Sequence, residues 1–270
     1  MPGNVRIAHI SDFHVGSPFF VPNLMNRVIA ELNELEPELV VITGDVTNEG
    51  YRQEYKNVVA YLDRLRSPVA VVPGNHDARN VGYVHFEELI GPRHWSRDVR
   101  GVQVVGADSS EPDLDEGQIG RERYEWICEQ FAAPADLKVF ALHHHLLPVP
   151  GTGRERSTVM DAGDLLQVLL ECGVNVVLAG HKHVPWVWRF ETMYVANAGT
   201  ASSLRLRGHT KPCYNVLEVE DDEVRIWRTF PFGGRTIMAR FSAATGAQLG
   251  RSPEPAREHA AGPAHAEPSS

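Results

Sequence analysis

The sequence predicts an α/β fold of two packed mixed β-sheets with helices outside them, a four-layer α/β/β/α sandwich. Three observations lead there. Through the first two thirds of the chain, short β-branched runs alternate with amphipathic helical patterns. After His183 four strand-like runs follow one another with no helical pattern between them. Clusters of Asp, Asn and His stand directly after the early apolar runs, at the strand ends where open α/β sheets bind ligands.

Val5–Ile10 reads as the first strand, and Pro22–Leu35 as a helix with Leu24, Val28, Leu32 and Leu35 along one face. Leu39–Thr43 is a second, buried strand, residues 51–65 a helix, and Val69–Val72 a third strand stopped by Pro73-Gly74. Strands over 102–107 and 139–142 flank a helix over 120–132, and a helix over 164–172 leads into a strand over 174–179. The late runs Trp186–Phe190, Met193–Asn197, Tyr214–Glu220 and 223–231 read as a second sheet packed on the first. Residues 1–242 are thus expected to form one domain. Residues 243–270, mostly Ala, Gly, Pro, Glu and Ser, are expected to be a disordered tail.

Composition narrows the function classes. No apolar stretch of the 270 residues approaches the roughly 20 that a membrane-spanning helix needs. The N-terminus lacks the basic and apolar segments of a secretory signal. Cys128, Cys172 and Cys213 are scattered and odd in number, which fits reduced thiols and a cytoplasmic location. A net charge of −9 argues against a protein that coats nucleic acid through a basic surface. It leaves room for a small phosphate substrate, because bound cations dominate the field of a metal site.

The clusters themselves carry the chemistry. The first strand is followed by Ser11-Asp12-Phe13-His14, the second by Gly44-Asp45 and the third by Gly74-Asn75-His76-Asp77. The run ending at Leu142 is followed by His143-His144-His145, and that ending at Ala179 by Gly180-His181-Lys182-His183. Singly each is weak, since Gly-Asp is often a helix cap and Asn-His-Asp a loop that bonds its own backbone. Five such segments at strand ends of one sheet edge are a different matter. They deliver carboxylate, amide and imidazole together, an O/N donor set suited to Mn, Fe or Zn.

In this order the blocks resemble those of the calcineurin-like metallophosphoesterases: Asp12-X-His14, Gly44-Asp45 with Gly50 beyond, Gly74-Asn75-His76-Asp77, His143, and Gly180-His181-X-His183. The resemblance runs from about Ile7 to Ala201 and is most like the cyclic-nucleotide phosphodiesterase branch. It implies two divalent or trivalent metal ions, one held by Asp12, His14, Asp45 and His183. Asp45 would bridge to the second, completed by Asn75, His143 and His181, with His144 or His145 as alternatives where the family's His-X-Pro is absent. Two ions about 3.5–4 Å apart would hold a hydroxide for in-line attack on a phosphodiester. His76 would protonate the leaving oxygen or stabilise the transition-state charge, and Asp77 would orient His76 or a ligand.

The expected partner is a small phosphate ester, 3′,5′-cyclic nucleotides first, with a monoester or nuclease substrate and a non-catalytic scaffold role as alternatives. No membrane and no extended nucleic acid is expected, and the oligomeric state is left open, a homodimer included. Arg79, His144 and Arg154 are the candidate substrate contacts, Arg154 in a Gly-rich loop over 148–157. Arg205, Arg207, His209 and Lys211 form a basic cluster that could steer an anion or could be a solvated strand face.

Overall fold

The early apolar runs pair as parallel strands, and the late ones complete both sheets. The computed structural model describes residues 4–153, 157–207 and 210–250. Strands β1 (Val5–Ile10), β2 (Leu39–Thr43) and β3 (Val69–Val72) are parallel, with helices α1 (Pro22–Leu35) and α2 (Arg52–Leu62) as the crossovers. Helix α3 (Gly82–Leu89) then leads to β4 (Trp95–Val99) and β5 (Val102–Gly106). A 3₁₀ turn, Arg121–Arg123, enters α4 (Tyr124–Gln130), followed by β6 (Leu137–Ala141), α5 (Ala162–Glu171) and β7 (Val176–Ala179). The remaining strands are β8 (Trp186–Phe190), β9 (Met193–Asn197), β10 (Tyr214–Glu220), β11 (Glu223–Thr229) and β12 (Arg235–Ser242).

One sheet has the order β12-β11-β10-β1-β2-β3 and the other β4-β5-β6-β7-β9-β8. The late strands therefore do not form a sheet of their own, contrary to the sequence reading. β9 adds parallel to the open edge of β7, with Asn197 opposite Ala179, and β10 runs antiparallel beside β1, with Val219 opposite Val5. Each sheet gains strands from both halves of the chain, which locks the two ends of the domain together.

Alternation along the strands sorts the core into three layers. Val5, Ile7, Leu39, Val41, Val139 and Leu178 pack between the sheets. Ala8, Ile10, Val40 and Ile42 face the other way, onto Met25, Val28, Ile29 and Leu32 of α1. Val105, Phe140 and Val177 do the same for α4 and α5, meeting Ile127 and Leu165. Every residue of β2 is buried because both its faces are covered.

Two further expectations are corrected. Residues 243–250 are not a tail: the chain turns after β12, with Ser242 N–H donating to the Ala247 carbonyl at 2.9 Å and Leu249 N–H to Arg240 at 2.8 Å. The Asp222 carboxylate pins that turn by accepting from Ser242 Oγ at 2.6 Å and the Ala244 amide at 2.8 Å. The rest of the expected tail, 251–270, lies outside the described residues. Cys128 and Cys172 are joined as a disulfide, Cα atoms 5.5 Å apart, because α4 and the end of α5 pack on the same sheet face. Only Cys213 remains a free, buried thiol. Among the described residues no helix is long and apolar enough to cross a membrane.

Candidate metal centre

The loops after β1, β2, β3, β6 and β7 leave the sheets at one edge and bring the predicted polar residues together. Backbone bonds interlock them: Asp12 N–H donates to the Gly44 carbonyl at 3.0 Å, His14 N–H to Asp45 at 2.9 Å, and Gly180 N–H to His143 at 2.9 Å. Turning out of the strand so abruptly puts Asp12, His14, Asp45, His181 and His183 at φ of 57°, 51°, 50°, 69° and 57°. These are left-handed conformations that side-chain-bearing residues adopt only under the constraint of surrounding structure. Glycine is required where the loops touch. Gly44 has φ +84°, and a Cβ there would lie 2.5 Å from the Gly74 nitrogen and 2.8 Å from His143 Nδ1. A Cβ on Gly74 would overlap the Asp45 carboxylate.

The donor atoms overlap in three sets, Asp12, His14 and His183, then His14, Asp45 and His76, then Asp45, His143 and His181. Their distances sort them around two centres with Asp45 between. At the first, His14 Nε2 lies 3.0 Å from His183 Nε2 and 3.7 Å from Asp45 Oδ2, and His183 Nε2 lies 3.1 Å from Asp12 Oδ1. Asp12 Oδ1 is buried and makes no hydrogen bond. At the second, His143 Nε2 lies 3.1 Å from Asn75 Oδ1, 3.2 Å from His181 Nδ1 and 3.5 Å from Asp45 Oδ1. Asn75 Oδ1 is also 3.1 Å from His181 Nδ1. The outer partners fix which atoms face inward. His143 Nδ1–H donates to the Thr43 carbonyl at 2.6 Å, and His183 Nδ1–H donates to the Arg205 carbonyl, so each Nε2 presents a lone pair. Asn75 donates its amide to Asp115 Oδ1 at 3.1 Å and therefore turns its carbonyl oxygen to the site. Lone pairs facing each other at 3.1 Å call for a positive centre between them, and these residues fit metal binding.

Ionisation matches that role. Burial opposes the charge on Asp45, yet His143, His76 and His14 hold its carboxyl below the usual carboxylate range. Burial likewise opposes the charge on Asp12, and His183 beside it holds that carboxyl down. Burial first, and then neighbouring imidazoles, keep His181 well below its ordinary value; His14 is held there mainly by burial. Two carboxylates and neutral imidazoles are the forms in which these residues bind metal. His143 is different: against the effect of burial, Asp45 and Asp12 raise its pKa. A proton and a metal ion there compete for one lone pair.

The other predicted residues divide. His76 stands over the first group, its ring 4.6 Å from that of His14, with Nδ1–H donating to the Asn48 carbonyl at 2.6 Å and Nε2 3.1 Å from Arg205 Nη1. Asp77 does not reach His76. Its carboxylate accepts from the amides of Val46, Thr47 and Gly74, so of the two partners expected for it the ligand loops are the ones it orients. Arg79 lies at the rim, 3.0 Å from His76 Nδ1 and paired with Asp115 at 2.7 Å. His144 is not a substrate contact. It is fully buried, bonded to Ser109 Oγ at 2.9 Å and the Asp115 carbonyl at 3.2 Å, and burial pushes its pKa down to about 3. Of the three histidines, His143 is the one that joins the donor atoms, its Nε2 3.5 Å from Asp45 Oδ1. Arg154 and His209 lie outside the described residues.

Several residues of this site carry no sequence signal. Asp115 holds both Asn75 and Arg79, yet it sits in an acidic loop with no adjacent motif. Thr43 and Asn48 act through carbonyls. Over the donor atoms opens a cleft of about 230 Å³, lined by Asp45, Asn75, His76, Lys182, Arg205 and Arg207 among others.

Fold and site together define a metallohydrolase of the four-layer α/β/β/α type. Residues 5–185 match the family described as calcineurin-like phosphoesterase, and the chain belongs to that family. It is 27% identical over 264 residues to a cAMP/cGMP dual specificity phosphodiesterase of Mycobacterium tuberculosis (strain CDC 1551 / Oshkosh), covering 87% of this chain and 82% of that protein. To a probable glycerophosphodiester phosphodiesterase of Arcobacter nitrofigilis it is 31% identical over 248 residues, 82% of this chain and 88% of the relative. Among solved structures, a dimetal phosphatase from Danio rerio shares the fold with a TM-score of 0.68 at 12% identity, over 88% of this chain and 99% of that one. The chain is a metal-dependent phosphoric ester hydrolase.

Proposed function

We propose that the enzyme is a dinuclear phosphodiesterase. Asp12, His14 and His183 would hold one ion, Asn75, His143 and His181 the other, and Asp45 would serve both. The observation that carries this reading is the placement of Asp45, one carboxylate oxygen 3.7 Å from His14 Nε2 and the other 3.5 Å from His143 Nε2. When bound, Mn, Fe or Zn ions would supply Lewis acidity toward the phosphoryl group and activation of water. The chain's own residues bind and orient the rest. Asp77 fixes the loops that present Asp45 and Asn75, Asp115 aims the Asn75 oxygen, and His76 is held over the site by Asn48 to meet the leaving oxygen. Diesters are favoured over monoesters because relatives similar over most of this chain are named for diester substrates, cyclic nucleotides in one case and glycerophosphodiesters in the other.

The test is hydrolysis of bis-p-nitrophenyl phosphate against p-nitrophenyl phosphate by protein stripped with chelator and reloaded with Mn²⁺. A faster diester reaction supports the reading and directs the screen to cyclic nucleotides and glycerophosphodiesters. A faster monoester reaction replaces it with a phosphatase, and no turnover with Mn, Fe or Zn replaces it with a scaffold role.

A further inference from the structure

Of the basic cluster that the sequence singled out, Arg205 is tied into the site. Residues 198–207 follow β9 and are bonded step by step to the loop after β1. Ala201 N–H donates to the Ser11 carbonyl at 3.1 Å, Thr200 Oγ1 to Asp12 at 2.7 Å, and Leu204 N–H to Phe19 at 2.8 Å. In return the Val21 amide donates to the Ser202 carbonyl at 2.8 Å. Within the segment Thr200 Oγ1 accepts from the Ser203 amide at 3.0 Å, and Ser203 Oγ accepts from the Arg205 amide at 3.1 Å. These bonds fix Arg205, whose carbonyl accepts the Nδ1–H of His183 and whose guanidinium Nη1 lies 3.1 Å from His76 Nε2.

The side chain of Arg205 is half-buried and lines the cleft, as does that of Arg207. Arg79 is paired with Asp115 and Arg93 with Asp108, but among the described residues neither Arg205 nor Arg207 has a carboxylate partner. The His76 imidazole positions the Arg205 fork without neutralising it. A guanidinium keeps its charge and offers parallel donors that match phosphate oxygens. A positioned cation with no carboxylate partner among the described residues, beside a phosphoester site in a chain of net charge −9, has an evident use.

We propose that Arg205 is a substrate-binding residue, its guanidinium taking non-bridging oxygens of the ester's phosphoryl group in the cleft. This rests on the phosphodiesterase reading above. Because the bond to His183 is made by the Arg205 backbone, a side-chain substitution leaves that bond in place and separates substrate binding from the metal group.

The experiment compares wild type, Arg205→Met and Arg205→Lys, each Mn²⁺-loaded, by calorimetric titration with inorganic phosphate, metal analysis and steady-state kinetics on bis-p-nitrophenyl phosphate. Arg205→Met should keep its metal, weaken phosphate binding roughly tenfold to a hundredfold and raise KM by a similar factor. Arg205→Lys should fall between, and it keeps the test open if the methionine variant does not fold. A phosphate affinity within about twofold of wild type at full metal content overturns the proposal, whether or not kcat falls. Wild type that hydrolyses the diester while phosphate binding ignores Arg205 sinks this proposal alone. Phosphate binding that depends on Arg205, in a protein that hydrolyses no ester, sinks the phosphodiesterase reading and leaves the anion site standing.

Discussion

Asp77 accepts two hydrogen bonds from Thr47, one from the backbone amide at 2.8 Å and one from the hydroxyl at 2.7 Å. The same carboxylate accepts from the amides of Gly74 at 2.9 Å and Val46 at 3.2 Å. It therefore ties the loop that carries Asp45 to the loop that carries Asn75. Asp77→Ala leaves these buried donors without a partner, at a cost of about 3 kcal/mol or more. For a domain of this size that is a fall in Tm of roughly 6–12 °C. Metal per chain should fall with it, since the two loops lose their common anchor. Melting curves and metal analysis check this, and an unchanged Tm at full metal content would show that the loops hold each other without Asp77.

Asp115 should act on only one of the two donor groups. It bonds the Asn75 amide, and Asn75 belongs with His143 and His181. In Asp115→Ala the Asn75 side chain is free to rotate its oxygen away, which should weaken the binding of one ion roughly tenfold and spare the other. Stepwise titration of the stripped protein with Mn²⁺ reads this directly. Equal weakening of both steps would mean that the two groups do not load as separate sites.

Why the sequence revealed some of this and not the rest has physical reasons. β1, α1, β2 and β3 are legible to the residue, because each is an apolar run or stripe bounded by Pro, Gly or a polar loop. The ligands are legible because they follow those runs. α3 is short and begins after Val81, a left-handed residue with no capping side chain, so nothing announces its start. β4 and β12 are edge strands with exposed residues on both faces, and the alternation that marks a strand is lost. The destinations of β8 to β12 depend on which sheet edge is open, a property of the assembled fold. Asp115 and Arg205 reach the site through loops whose course no local pattern encodes.

His9 predicts a dependence of stability on pH. It is fully buried, bonded to Thr43 Oγ1 at 2.9 Å and to the Asn215 amide at 3.3 Å, and burial lowers its pKa from 6.5 to about 3. The unfolded chain therefore binds the proton first. Stability from this group is full above pH 6.5 and is lost as pH falls toward 3, amounting to about 2 kcal/mol at pH 5. Denaturant midpoints of the chelator-treated protein at pH 7 and pH 5 give the total slope. His9→Gln should flatten it, and a slope equal to that of wild type would assign the acid sensitivity elsewhere.

His76 is joined to the donor groups by its backbone and to the cleft by its ring. Its amide donates to Asp45 Oδ1 at 2.9 Å, a bond that His76→Ala retains. Its ring makes the bond to the Asn48 carbonyl and contacts Arg205 Nη1 at 3.1 Å, and that is what the substitution removes. Metal content and folding should therefore be near wild type. Turnover of the diester should fall by about 10²–10⁴, the usual contribution of a positioned proton donor. The loss should shrink for esters whose leaving group needs no proton, so p-nitrophenyl esters should suffer less than alkyl esters. If the variant loses metal, the ring also supports the ligand loops. If it keeps both metal and rate on alkyl esters, the leaving oxygen takes its proton from elsewhere, and His76 serves only to position Arg205.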